Sequence, residues 1–203
     1  MMKGKTAVFL RPLLFFSFWA ALWAVRREGF WALLLAVAVH EAGHWLAAGL
    51  LREKLAFFTV FLGGGMESLR FLTPRREAVA AGGGPLANLL VWFFFFVWGH
   101  GESALAQGQL LLALFNLLPC LPLDGGRICR AVLLPLSDYY RLSRTLSALG
   151  QAAALLWLFW LIIHAGGWLS YAAPAFLFLL SAREKNNAIY GYIRHLLHRW
   201  PRR

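Results

Sequence analysis

The sequence predicts an all-α polytopic membrane protein of about six transmembrane helices, with a membrane-embedded β-hairpin between spans 2 and 3. Three observations predict it. The 203-residue chain is 60% apolar and 16% aromatic but only 14% charged, against roughly a quarter charged in an ordinary soluble domain. Ten Trp and seventeen Phe, with a mean hydropathy of +0.60, exceed what so short a chain could bury as a water-soluble globule. The basic residues fall in clusters between apolar runs, as they do at membrane rims.

Six apolar stretches can be drawn, at about 7–25, 29–51, 78–98, 104–123, 145–164 and 168–182, most of them near the roughly 20 residues that a bilayer requires. The first is interrupted by Arg11-Pro12, and Arg11 can snorkel to the interface. Met1 to Lys5 followed by an apolar run to Val25 has the shape of a signal peptide. No small-x-small cleavage site is evident and several spans follow, so a retained first span is expected. Between spans 2 and 3, Phe57, Phe58, Val60 and Phe61 are followed by Gly63-Gly64-Gly65 and then by Met66, Leu69, Phe71 and Leu72. Glycines flanked by β-formers read as a hairpin. Its apolarity places it in the bilayer against protein, because lipid-exposed strand edges are not tolerated.

The fourth stretch ends in a proline-broken segment, Pro119-Cys120-Leu121-Pro122, and a sharp Asp124-Gly125-Gly126 turn, after which Ile128 to Leu136 is a short apolar piece. The sixth stretch is short. Residues Asn186 to Trp200 read as a basic helix on the membrane surface. The domain reading is therefore a membrane domain over 1–185 and a basic C-terminal surface helix and tail over 186–203.

With six spans, eighteen of the twenty Lys and Arg lie on one side and Arg26 and Arg27 alone on the other. The positive-inside rule then places both termini of a multi-pass protein in the cytoplasm; the expected location is a bacterial plasma membrane. A net charge of +11 could suggest nucleic acid. No basic stripe on a soluble face and no nucleic-acid motif accompanies it, so the lipid bilayer, and no nucleic acid, is the expected partner. Cys120 and Cys129 are no disulfide framework and read as small core residues.

Of nine carboxylates, Glu41 sits near the middle of span 2 and Asp124 closes span 4. Ionisable groups at depth are functional by default. Glu41 lies within His40-Glu41-Ala42-Gly43-His44, an HExxH motif. On a helix the two histidines share a face at a spacing that chelates one Zn²⁺. Glu41 is rotated about 100° from His40, suited to holding a water and taking its proton. A catalytic zinc needs a third protein ligand and an open position. Asp124 is the candidate, since the prolines before it and glycines after it allow it to be presented inward. Its other reading is a helix cap, because Asp-Gly is also a turn signal. His195 and His198 belong to a solvated basic tail, and His100 and His164 to loop edges.

Together these residues resemble the site-2 protease family of intramembrane zinc metalloproteases. Asn116-Leu-Leu-Pro119-Cys-Leu-Pro122-Leu-Asp124-Gly125-Gly126-Arg127 is close to the family's second motif. Gly84-Pro85-Leu-Ala-Asn88 resembles its third-span start, and Gly64-Gly65-Met66-Glu67 its membrane-embedded hairpin. The resemblance covers about 29–130 well and the remainder only as spans. Lacking an inserted PDZ domain, the chain looks most like the stage IV sporulation protein FB branch. That branch usually carries a C-terminal CBS or CBS-like domain, whereas this sequence stops at Arg203, as a minimal form or as a piece of a longer chain.

The resemblance implies His40, His44 and Asp124 as ligands of one Zn²⁺ per chain and Glu41 as general base. It implies hydrolysis of a peptide bond in or near a transmembrane segment of a membrane-tethered protein, with release of a cytosolic fragment and with regulatory membrane proteins as further partners. Asn116 would bind substrate backbone or the oxyanion, or else pack polar against a neighbouring helix. Gly64, Gly65, Met66 and Glu67 would offer an edge to an unwound substrate strand. Two other classes stay open. One is a catalytically inactive relative that binds membrane helices as a scaffold. The other is a metal transporter, which would line a path with several polar groups and often shows repeats.

Overall fold

Helix boundaries in this chain follow local chemistry. The computed structural model describes residues 27–51, 73–164 and 171–199. Helix α1 (Arg27–Leu50) carries the expected second span and helix α2 (Pro74–Val97) the third. Pro74 stands at the start of α2 and Glu77 in its first turn, where a missing N–H costs nothing and a negative charge meets the positive helix end. Beyond α2 the chain turns through Gly99, whose φ of 76° lies in the left-handed region that glycine adopts freely. Ser103 then caps helix α3 (Ala104–Asn116), its hydroxyl accepting from the Ala106 N–H at 3.3 Å.

Helix α3 has only 13 residues, about 20 Å of rise. The fourth expected span, 104–123, is therefore half helix and half irregular chain. Pro119 and Pro122 lack the N–H groups a continuing helix needs, and Leu117 to Leu123 runs as turns before helix α4 (Asp124–Leu133) begins. The Asp-Gly-Gly turn is thus the first turn of a helix. Gly125 and Gly126 are required there: a Cβ on either would run into the main chain of Leu117, Leu118 and Cys120.

A 3-10 turn (Leu134–Leu136) follows, and Asp138 caps helix α5 (Tyr139–Ile163) by accepting from the N–H groups of Tyr140 and Arg141. Span 5 therefore starts six residues earlier than its hydropathy suggested. Helix α6 (Ala172–Arg199) runs without a break from inside the expected sixth span into the basic segment after 186. The first expected span and the hairpin with Gly64, Gly65, Met66 and Glu67 lie outside the described residues, among which there is no strand.

Among the described residues, three helices are long and apolar enough to cross a membrane: Trp31–Leu50, Pro74–Val97 and Tyr139–Ile163. Their packing is inverted relative to a soluble bundle. The buried apolar residues are mostly alanines, such as Ala32, Ala36, Ala80 and Ala81, and buried beside them are His40, His44, Asn88, Gln109 and Asp124. Phe93, Phe94, Phe96 and Trp98 point outward. Large apolar groups outside and small or polar groups inside suit lipid as the surrounding medium.

Helices α1 to α4 pack on one another, and α5 and α6 form an antiparallel pair at their side. Close approach of α1 and α2 depends on Gly43 and Gly83. A Cβ on Gly83 would stand 2.6 Å from the Gly43 carbonyl oxygen, and one on Gly43 would strike the Gly83 carbonyl. The α5–α6 pair joins the others at Leu121, whose N–H donates to the Leu146 carbonyl at 3.1 Å and whose carbonyl accepts from the Ser181 hydroxyl at 2.8 Å.

Candidate metal centre

Three side chains from two helices converge between α1 and the start of α4. His40 and His44 lie one turn apart on α1, and Asp124 is the first residue of α4; all three are buried. His40 Nε2 is 3.0 Å from Asp124 Oδ2, His44 Nε2 is 3.2 Å from the same oxygen, and the two Nε2 atoms are 3.1 Å apart. Three donors on a tetrahedral ion at 2.0–2.1 Å would stand about 3.3 Å from one another, so this triangle is close to the size zinc requires.

Proton bookkeeping makes the case stronger. His44 Nδ1 lies 2.8 Å from the Ala80 carbonyl oxygen, which can only accept. That nitrogen therefore carries a proton, and in the neutral imidazole Nε2 keeps its lone pair. The Gly84 N–H is also near His44 Nδ1, at the longer distance of 3.3 Å, and the protonated nitrogen cannot accept from it.

His40 Nδ1 lies 2.7 Å from Asn88 Oδ1. The Asn88 amide nitrogen donates to the Ala36 carbonyl at 2.8 Å and to Gln109 Oε1 at 2.5 Å. Those two acceptors identify the nitrogen end of the amide, so its oxygen faces His40, and His40 too is protonated at Nδ1. With both imidazoles neutral, the centre holds two imidazole lone pairs and a carboxylate oxygen facing one another. Three acceptors within 3.2 Å in a buried space repel one another unless a cation sits between them. The donor set, two imidazoles and one carboxylate, suits zinc.

Room for an ion is kept by Gly84 of α2. A Cβ there would lie 2.5 Å from His44 Nε2 and 2.8 Å from His40 Nε2, in the space those two nitrogens face. The second carboxylate oxygen, Asp124 Oδ1, is 3.4 Å from Arg127 Nη1. Further along α4, Arg130 donates to Glu77 of α2 and lies over the Tyr139 ring. Burial by itself would lower the Arg130 pKa; the Glu77 carboxylate outweighs it and raises the value. This ion pair fixes the far end of the helix that presents Asp124.

Glu41 is half-buried, one residue after His40 on α1, and makes no hydrogen bond or ion pair among the described residues. Asn116 closes α3 with its amide donating to the Leu112 carbonyl of its own helix at 3.1 Å, outside the ligand triangle. Two buried residues of the centre went unassigned in the sequence. Asn88 stood in the Gly84-Pro85 segment without a role, and Gln109 was one polar residue in an apolar run. The signal that could have found them was their polarity at membrane depth.

No family model matches the chain. It is 31% identical over 147 residues to zinc metalloprotease MJ0392 of Methanocaldococcus jannaschii, over 64% of this chain and 42% of that protein. It is 36% identical over 115 residues to a Synechocystis protein that carries a provisional zinc metalloprotease name, over 50% of this chain and 30% of the relative. The matched region thus spans less than half the length of these relatives. Among solved structures, a site-2 protease from Methanocaldococcus jannaschii shares the fold, with a TM-score of 0.59 and 23% identity over 77% of this chain and 76% of that one.

Proposed function

We propose that this chain is an intramembrane zinc metalloprotease of the site-2 protease family, cutting a peptide bond in or near a transmembrane segment of a membrane-tethered protein and releasing a cytosolic fragment. The observation that carries the reading is the meeting of one ligand atom each from His40, His44 and Asp124 beside a half-buried carboxylate, Glu41. The zinc metalloprotease names of the relatives and the shared fold support it.

One zinc per chain, held by these three residues, would supply a Lewis acid and an activated water when bound. Asn88 and the Ala80 carbonyl hold the two imidazoles with Nε2 facing inward. Glu41 takes the proton of the attacking water and returns it to the leaving amine. Asn116, in the last turn before the proline-broken segment, binds substrate backbone by turning its amide away from Leu112. Gly64, Gly65, Met66 and Glu67 supply the edge on which the substrate strand extends. Both termini lie in the cytoplasm of a bacterial plasma membrane, on the side where the basic connections cluster. The membrane-tethered substrate, and regulatory membrane proteins beside it, are the partners this arrangement calls for; membership of the stage IV sporulation branch is part of the same proposal.

The test is metal content of detergent-purified protein. Wild type should hold about one zinc per chain and His44→Ala none, while Glu41→Gln should keep zinc and lose cleavage of membrane-tethered substrates. A folded wild type without zinc would overturn the reading. A Glu41→Gln variant that keeps full cellular function would favour the helix-binding scaffold.

A further inference from the structure

We propose that Arg127 is a positioning residue for the metal centre: it holds Asp124 Oδ1 aside, so that the carboxylate meets the ion through Oδ2 alone. The inference rests on the zinc reading above.

The two oxygens of Asp124 have different neighbours. Oδ2 lies 3.0 Å from His40 Nε2 and 3.2 Å from His44 Nε2. Oδ1 lies 3.4 Å from Arg127 Nη1, longer than an ideal hydrogen bond but well within the reach of charge attraction. The helix sets this division. Asp124 opens α4 and Arg127 stands three residues on, so the two side chains are neighbours on one face. The next cation along α4, Arg130, is engaged with Glu77 of α2, which leaves Arg127 as the cation for Oδ1.

An ordinary helix ion pair does not account for this contact. Such pairs sit on wet surfaces and contribute little, whereas the Arg127 side chain is 14% exposed and that of Asp124 8%. Asp124 is also favoured already by the positive end of the helix it begins. Metal affinity does not account for it either, because a cation beside the carboxylate offsets part of the charge that attracts Zn²⁺. What Arg127 supplies is direction. A carboxylate can ligate through one oxygen or through both. Two imidazoles and both oxygens would fill the four positions zinc ordinarily holds, whereas one oxygen leaves a position open, as a catalytic zinc requires. A guanidinium drawn to Oδ1 opposes the turn that would bring that oxygen to the ion.

The chain suits a direct test, because Asp124 and Asp138 are its two aspartates. The full chain is labelled with ¹³C in the aspartate carboxyl groups and purified in detergent, and infrared spectra are taken with and without zinc. Asp138 caps α5 through Oδ2 and cancels in the difference, leaving Asp124. A carboxylate bound through one oxygen separates its two C–O stretches more than a free carboxylate does; bound through both, it separates them less. In wild type zinc should widen the separation. In Arg127→Leu and Arg127→Met zinc should narrow it below the metal-free value. Arg127→Lys, which keeps a cation within reach of Asp124, should behave as wild type. Chelator competition confirms that each variant carries zinc.

A narrowed separation in wild type would overturn the proposal without recourse to any variant. A separation as wide in Arg127→Leu and Arg127→Met as in wild type would overturn it too, by showing that the carboxylate keeps one oxygen aside unaided. Equal narrowing in Arg127→Lys and Arg127→Met would show that the charge is not what acts, with the same consequence. If zinc moves no aspartate band in a folded wild type, the metalloprotease reading itself fails, and this inference with it.

Discussion

His40 and His44 belong to one helix and meet one carboxylate oxygen, yet they are held by different means. His44 is oriented by main chain, the Ala80 carbonyl of α2. His40 is oriented by side chains, through Asn88 and behind it Gln109. The first arrangement depends on helix placement, and hence on the contact of Gly43 with Gly83. The second depends on residue identity and can be removed by changing one side chain with little change of backbone. The difference teaches that the two histidines of one motif have separate vulnerabilities.

The largest effect is expected where the two histidines share a fate. Asp124→Ala removes the oxygen both imidazoles face and should lower zinc affinity by more than about a hundredfold, beyond what loss of an orienting partner causes. Chelator competition measures it. Gly84→Ala should act similarly, because its Cβ would enter the space before both Nε2 atoms. A variant that keeps wild-type affinity would show that the ligands do not face that space.

The next predictions separate the two sides. Asn88→Ala should weaken zinc by about 10–100-fold through His40 alone. Gly83→Ala should destabilise the α1–α2 contact by about 1–3 kcal/mol, seen as a lower Tm, and should shift the His44 nitrogen resonances more than those of His40. If both substitutions disturbed both imidazoles equally, the comparison would fail.

The smallest effect on metal is expected from Glu77→Ala. It leaves Arg130 buried without its partner and should cost about 3 kcal/mol of stability. Zinc affinity should fall less than about tenfold, because the pair secures α4 at a distance from its first residue.

The sequence revealed this centre unevenly. His40, Glu41, His44 and Asp124 could be singled out because ionisable groups at membrane depth are expensive, and because chelation by a helix has a fixed spacing. The roles of Asn88 and Gln109 could not be read, since a neutral amide has no meaning until its partners on other helices are known. The starts of α3 and α5 were carried by Ser103 and Asp138, but hydropathy weighs those residues as mere interruptions. The fourth apolar stretch misled for the opposite reason. Leu117, Leu118, Leu121 and Leu123 continue its hydropathy after Pro119 and Pro122 have removed the hydrogen bonds that would continue its helix.

The inverted packing has a practical consequence at the bench. Urea unfolds proteins in proportion to the surface they newly wet. Here the large apolar side chains already face outward, toward acyl chains or a micelle, and separated helices would stay covered by the same molecules. Little fresh surface reaches water, so titration with urea should give a shallow slope. An anionic detergent, which competes for the contacts between the helices themselves, is the reagent that would report how firmly this bundle holds.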